Sequence, residues 1–401
     1  MKRLALLFSV FAATATPAAV SAGDVDFTGF IGTELRIFQH DAADSMQNDG
    51  RLAPSMTIQP EIRYDISADD RLTIIPFARW DRRDSERRHV DLREFNWSRI
   101  GDGWDVRVGL DKVFWGVTES HHLVDVINQT DLVEAMDGED KLGQPMVNLG
   151  LQRDWGNLNL FVMPWFRERT FPGAKGRLRS VPLVDADEAV YVGNADQNHL
   201  DMALRYSTVV GDWDIGLSHF HGVGREPALV SGTNAAGETV FIPHYQVIDQ
   251  TGLDLQTTKG AWLWKLETIV RSGDGSRFAA FVGGIEYTFY DVAETGVDLG
   301  LIAEYQYDGR DAGAPPVIQD NDIVLGFRLA FNDTDDSSLL AGVAIDHETG
   351  ARWMTLEAET RLTDVWNLEL EAMANGNLGA GEPGYGTRQD DHLALNLKRY
   401  F

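Results

Sequence analysis

The chain has 401 residues, 62 acidic against 35 basic side chains, and a formal net charge of -27. Such a charge excludes a protein built to hold nucleic acid or bare anionic lipid. The absence of cysteine excludes a disulfide framework, and the lack of any run of about 18 apolar residues excludes a spanning helix.

Residues 1–22 read as a secretory leader. Lys2 and Arg3 precede an apolar stretch from Leu4 to Val10, and Val20-Ser21-Ala22 offers a small-x-small cleavage pattern. Cleavage before Gly23 removes Lys2 and Arg3 and takes the net charge from -27 to -29.

From Gly23 onward the dominant pattern has period two. Met56, Ile58, Ile62 and Tyr64 oppose Thr57, Gln59, Glu61 and Arg63. Ile323, Leu325, Phe327, Leu329 and Phe331 oppose Arg328, and Trp366, Leu368, Leu370 and Ala372 oppose Asn367, Glu369 and Glu371. Counting such stretches predicts eighteen strands, starting near 25, 54, 71, 88, 104, 146, 157, 199, 213, 241, 261, 278, 297, 322, 338, 352, 365 and 391. Sixteen is the alternative if the ninth and tenth are loop.

The connections alternate between short turns and longer polar segments, the latter near 39–53, 82–88, 116–146, 168–198, 224–240, 309–320 and 376–389. At several short turns a Trp follows within a residue or two, as in Gly103-Trp104-Asp105, Asp212-Trp213-Asp214, Gly260-Ala261-Trp262 and Val365-Trp366-Asn367. That recurrence predicts an aromatic girdle at a membrane-water boundary. The last strand alternates Leu393, Leu395, Leu397, Arg399 and Phe401. Together these features predict an all-β fold. The expected architecture is a transmembrane antiparallel up-and-down barrel over 23–401, in the outer membrane of a Gram-negative bacterium. The terminal Phe401 is expected to be read by the outer-membrane insertion machinery. Outer-membrane lipid and lipopolysaccharide are the expected surroundings, and a homo-oligomer stays open.

A charge facing lipid at the midplane costs about 2–4 kcal/mol for Arg or Lys. Alternation therefore turns Glu34, Arg36, Arg79, Arg93, Arg107, Lys265, Glu267, Glu304, Arg328, Glu357 and Glu371 into the lumen. The segment after the fifth strand holds Leu123, Val124, Val126, Ile127, Leu132, Val133 and Met136, too apolar to lie in water. Segment 117–145 is expected to fold inward as a constriction. Arg79, Arg93 and Arg107 are expected to face its Asp125, Asp131 and Glu134.

The same stretch carries an Arg-x-Gly strand (Arg107, Gly109) and an aromatic-Gly strand end (Trp115, Gly116). The loop motif follows as Leu123, Asp125, Asn128, Asp131 and Leu132. Here the chain resembles a porin-like family of proteobacterial outer-membrane proteins, largely without assigned function. A proline common after the Asn in that family is Gln129 in this chain. A weaker similarity is to alginate-export barrels, whose lumen is strongly basic. The resemblance implies a barrel and a loose hint of transport.

His219 and His221 share one face at spacing two but show no third metal ligand, and Ser120, His121 and Asp125 are sequence neighbours rather than a triad assembled in space. No metal, cofactor or catalytic residue is predicted. The expectation is a non-enzymatic channel for passive passage of small polar or charged solutes. A plugged structural or adhesion barrel, and a barrel enzyme at the outer rim, are the alternatives.

Overall fold

The computed structural model describes residues 23–318, 320–382 and 384–401. The predicted leader lies outside them. The described residues form twenty-one strands in chain order. They begin with β1 (Asp24–Phe38), β2 (Leu52–Asp65), β3 (Asp70–Asp81), β4 (His89–Gly101), β5 (Trp104–Asp111), β6 (Gln144–Arg153) and β7 (Gly156–Met163). Then come β8 (Val190–Tyr191), β9 (Asp201–Val210), β10 (Trp213–Val223), β11 (Ala228–Thr233), β12 (Thr239–Tyr245), β13 (Val247–Lys259) and β14 (Trp262–Ser272). The remainder are β15 (Phe278–Phe289), β16 (Asp298–Asp308), β17 (Asp322–Ala330), β18 (Ser338–Asp346), β19 (Arg352–Thr363), β20 (Trp366–Gly376) and β21 (His392–Tyr400).

Eighteen of them form one antiparallel sheet, and β8, β11 and β12 form a separate three-stranded sheet. The large sheet closes because β1 pairs with β21, from Phe30 opposite Tyr400 to Phe38 opposite His392. Closure leaves no edge strand, the condition for a sheet whose outside faces hydrocarbon. The eighteen-strand expectation holds.

β17 sorts its side chains as predicted. Ile323, Leu325 and Phe327 are exposed on the outside while Val324 is buried within. Trp213, Trp262 and Trp366 stand exposed at the end of the barrel that carries the short turns, forming part of an aromatic band.

The tenth wall strand differs from expectation. It begins at Val247, not near 241. Thr239–Tyr245 is a strand, but it pairs with Ala228–Thr233 as a hairpin outside the wall. Its alternation is real; periodicity reports a two-faced strand and says nothing about which sheet receives it.

The third long loop, L3 (112–143), turns into the barrel. Its Trp115, Leu123, Val124, Val126 and Ile127 join one apolar cluster with inward residues of the wall, among them Met146, Phe161, Phe220, Ile248, Ile269 and Phe278. These wall residues come from β6, β7, β10, β13, β14 and β15. One side of the barrel interior is therefore a dry core with L3 as its filling.

Candidate functional site

L3 is fastened to two walls. On the side of β1, β3 and β4, the Glu134 carboxylate lies 2.7 Å from Arg79 and 2.7 Å from His89. Arg36 donates to the Glu134 carbonyl at 2.7 Å. Arg87, from the loop after β3, holds Glu34 at 2.7 Å and Asp81 at 2.9 Å. It also donates to the Val133 carbonyl at 3.1 Å. Burial alone would raise the Glu134 carboxyl, but Arg79, His89 and Arg87 outweigh it and hold it well below the usual carboxylate range.

Arg93 reaches Asp131 at 2.6 Å. Its approach depends on a bulge. The register moves from Ile75 opposite Glu94 to Pro76 opposite Leu92, so Arg93 has no cross-strand partner. Pro76 cannot donate to the ladder, and a bulge is where a proline is tolerated inside a sheet. The extra residue changes which parity of β4 faces the lumen, bringing His89 and Asp91 to the inner side.

On the opposite wall, two carboxylates receive the tip of L3. Glu267 on β14 accepts from the Val117 amide at 2.7 Å, the Thr118 amide at 3.0 Å and the Thr118 hydroxyl at 2.8 Å. Glu304 on β16 accepts from the amides of Glu119 and Ser120, each at 2.8 Å, and from the Ser120 hydroxyl. An irregular buried segment must find partners for its amides, and here the wall supplies them. Glu119 in turn pairs with Lys265 at 3.2 Å and Arg328 at 2.8 Å.

The loop motif is a set of internal fastenings. Asn128 donates to the carbonyls of Asp111 and Leu142, both at 2.9 Å, and accepts from the Val113 amide at 2.8 Å. That closes the base of the loop. Asp125 pairs with Lys141 of the same loop at 3.3 Å. Leu123 is buried and Leu132 half-buried. Gln129 accepts from the Thr130 amide at 3.0 Å and from Arg169 at 3.2 Å.

The structure thus joins Arg79 to Glu134 and Arg93 to Asp131 as direct ion pairs, not as charges facing across a gap. It keeps Arg107 and Asp125 out of that arrangement. Arg107 is bound to Asp111 at 3.2 Å with its side chain 47% exposed. L3 leaves the wall at Asp111, four residues and roughly 13 Å of strand beyond Arg107. Sequence reasoning missed Arg87 and His89 on one wall. It read Glu34, Arg36, Glu267 and Glu304 as inward but could not tell that they grip L3.

His122 stands between Glu139 (3.3 Å) and Glu267 (3.6 Å). Burial lowers its pKa, and the two carboxylates more than reverse this, raising it to about 9. At its neighbour His121 burial outweighs the pull of Glu226 and Glu267 and pushes the pKa down to about 4. The hydroxyl of Ser120 is engaged by Glu304 rather than by either histidine. His219 and His221 are exposed and bonded to Thr251 (2.9 Å) and Asp249 (2.8 Å). Among the described residues no group of three or more His, Cys, Asp or Glu is placed to hold a metal.

L3 leaves another part of the wall bare. On the lumen face of β19 and β20, Glu357 stands directly opposite Glu371, and Glu359 opposite Glu369. Lys398 reaches Glu369 at 2.5 Å. Small cavities separate Ala135 and Asp137 of L3 from Glu357 and Glu371.

No family model matches the chain, and no curated protein matches it. Among solved structures it is similar to Wzi of Escherichia coli, with a TM-score of 0.52 and 8% identity over 92% of this chain and 83% of that one. Wzi is described as an outer membrane protein involved in group 1 capsule assembly and a carbohydrate-binding β-barrel. This chain shares the closed β-barrel fold of that protein. OmpT of Vibrio cholerae matches with a TM-score of 0.47 and 13% identity over 95% of this chain and 100% of that one. OprB of Pseudomonas putida matches with a TM-score of 0.45 and 10% identity over 94% of each chain. At these identities the likeness is one of fold.

Proposed function

We propose that the barrel is a passive channel for small polar or charged solutes, narrowed by L3 to a passage along β18–β21. The observation that carries this reading is the contrast between the two sides of the interior. Beside β6–β15 the loop is packed dry. Beside β19 and β20 the wall presents like-charged cross-strand pairs, Glu357 with Glu371 and Glu359 with Glu369, the last offset by Lys398 at 2.5 Å. Like charges placed directly opposite one another destabilise a sheet, and burying them in a dry plug would cost far more. Water in the lumen makes them tolerable. A charged wall beside a water-filled path is also what sets ion preference in a pore.

Size-dependent entry of small sugars and organic ions into liposomes carrying the refolded barrel, followed by swelling, tests the proposal. Swelling that falls with solute size is the expected result. Liposomes that stay impermeable around a correctly folded barrel would overturn it. They would favour a closed barrel that binds its ligand at the outer face, a reading to which the fold likeness to Wzi and the half-filled interior lend support.

A further inference from the structure

Above L3, at the long-loop end, lies a cavity of about 300 Å³. It is bounded by L3, by the loop after β7 (164–200), by the loop after β10 (224–246) and by the loop after β16 (309–321). That volume falls at the lower end of small-molecule sites. Its wall is apolar where Met136, Phe171, Leu229, Pro315, Val317 and Ile318 meet.

The charged groups of this cavity are matched apart from Arg169 and Asp137, an exposed carboxylate that accepts from the Glu139 amide at 3.0 Å. Glu226 is held by Arg271 at 2.8 Å and Arg310 at 3.3 Å, which keep it well below the usual carboxylate range against the upward pull of burial. Arg310 also takes Asp308 at 2.7 Å, Arg225 takes Asp201 at 2.7 Å, and Lys141 takes Asp125 at 3.3 Å. Arg169 differs. Its Nε donates to Gln129 at 3.2 Å and its backbone amide to the Tyr245 hydroxyl at 3.0 Å. Among the described residues its Nη1 and Nη2 have no hydrogen-bond partner and no carboxylate within ion-pair distance. Gln129 and Tyr245 anchor the near side of the residue, so the two outer nitrogens form an open fork on the cavity.

A guanidinium fork matches a carboxylate in two parallel hydrogen bonds, and such charge-assisted pairs are the strong ones. A desolvated cation beside an apolar wall calls for an anion with an apolar body. We infer that this vestibule is a binding site for small monocarboxylates carrying an aromatic or branched apolar group. The carboxylate sits on the Nη1–Nη2 edge of Arg169, and the body lies against Phe171, Leu229 and the Pro315–Ile318 segment. Gln129, which accepts from Nε of Arg169 at 3.2 Å, is the residue that orients the fork. The inference rests on the channel reading only in treating the captured acid as a solute of the passage below.

The test is calorimetric titration of the folded barrel in detergent with benzoate, benzamide and benzylammonium, needing no conductance. Benzoate should bind, and the neutral amide and the cation should bind at least about tenfold more weakly. Arg169→Gln should weaken benzoate about tenfold or more, with Arg169→Lys between the two. Heat-modifiable gel migration confirms that each variant is folded. Equal affinity for benzamide, tighter binding of benzylammonium, no benzoate binding, or an unchanged Arg169→Gln affinity would each overturn the inference. Benzoate binding lost in Arg169→Gln, in a barrel impermeable in liposomes, would support the site and reject the channel.

Discussion

Glu134→Ala should release the middle of L3 without unfolding the barrel. The Glu134 side chain is 4% exposed and meets Arg79 and His89 at 2.7 Å each. Removing one partner of a buried pair costs about 3–5 kcal/mol. Arg79 keeps Glu34 at 3.3 Å and Ser55 at 2.7 Å, which places the loss at the lower end of that range. Arg36 still holds the backbone carbonyl of residue 134 at 2.7 Å. A loss of about 3 kcal/mol raises the ratio of released to seated loop on the order of a hundredfold. The wall is untouched, so gel mobility of the folded form should not change. Two assays read the release. Trypsin should cut at Lys141 faster in proportion to the open population, and channel recordings should show larger, noisier current. Arg107→Ala, which touches Asp111 and not L3, should leave the cleavage rate as it was. Cleavage at Lys141 and current noise both equal to wild type in Glu134→Ala would refute the reasoning.

The far anchorage should respond in kind: Glu267→Ala combined with Glu304→Ala leaves the amides of 117–120 without acceptors, and faster hydrogen exchange confined to that segment is the expected result. His122 gives a pH dependence. Its pKa is raised from 6.5 to about 9, so its contribution is complete below about 6.5 and is lost as pH rises through about 9. The share of that contribution owed to Glu267 is loop anchorage, and trypsin cleavage of L3 should quicken between pH 8 and 10 in wild type but not in His122→Phe. Glu357→Gln with Glu371→Gln should move the measured cation-to-anion permeability ratio toward anions; an unchanged ratio would place the passage elsewhere in the lumen.

Much of the barrel could be read because a membrane imposes simple rules on sequence. Lipid outside and water or core inside force alternation, and turns must recur where strands leave the membrane, so Trp213, Trp262 and Trp366 mark the same level by their offset from a turn. The apolar run from Leu123 to Met136 was legible for the same reason: it needs cover, and the lumen offers it. Other features had no local signature. The Thr239–Tyr245 strand alternates as well as any wall strand, and its place in an external hairpin depends on Ala228–Thr233. The bulge at Arg93 follows from Pro76 on the neighbouring strand, a matter of register and not of either sequence alone. Glu267 and Glu304 serve amides some 149 and 185 positions away, a pairing that no spacing reveals. Arg107 was misplaced because alternation gives the face of a strand but not the height at which a loop crosses it.

The most direct test of the account is the single-channel conductance of the refolded chain in a planar bilayer. A steady open state is predicted, enlarged or made noisy by Glu134→Ala. A folded, inserted barrel that carries no current, in wild type and in Glu134→Ala alike, would contradict a water-filled passage beside L3.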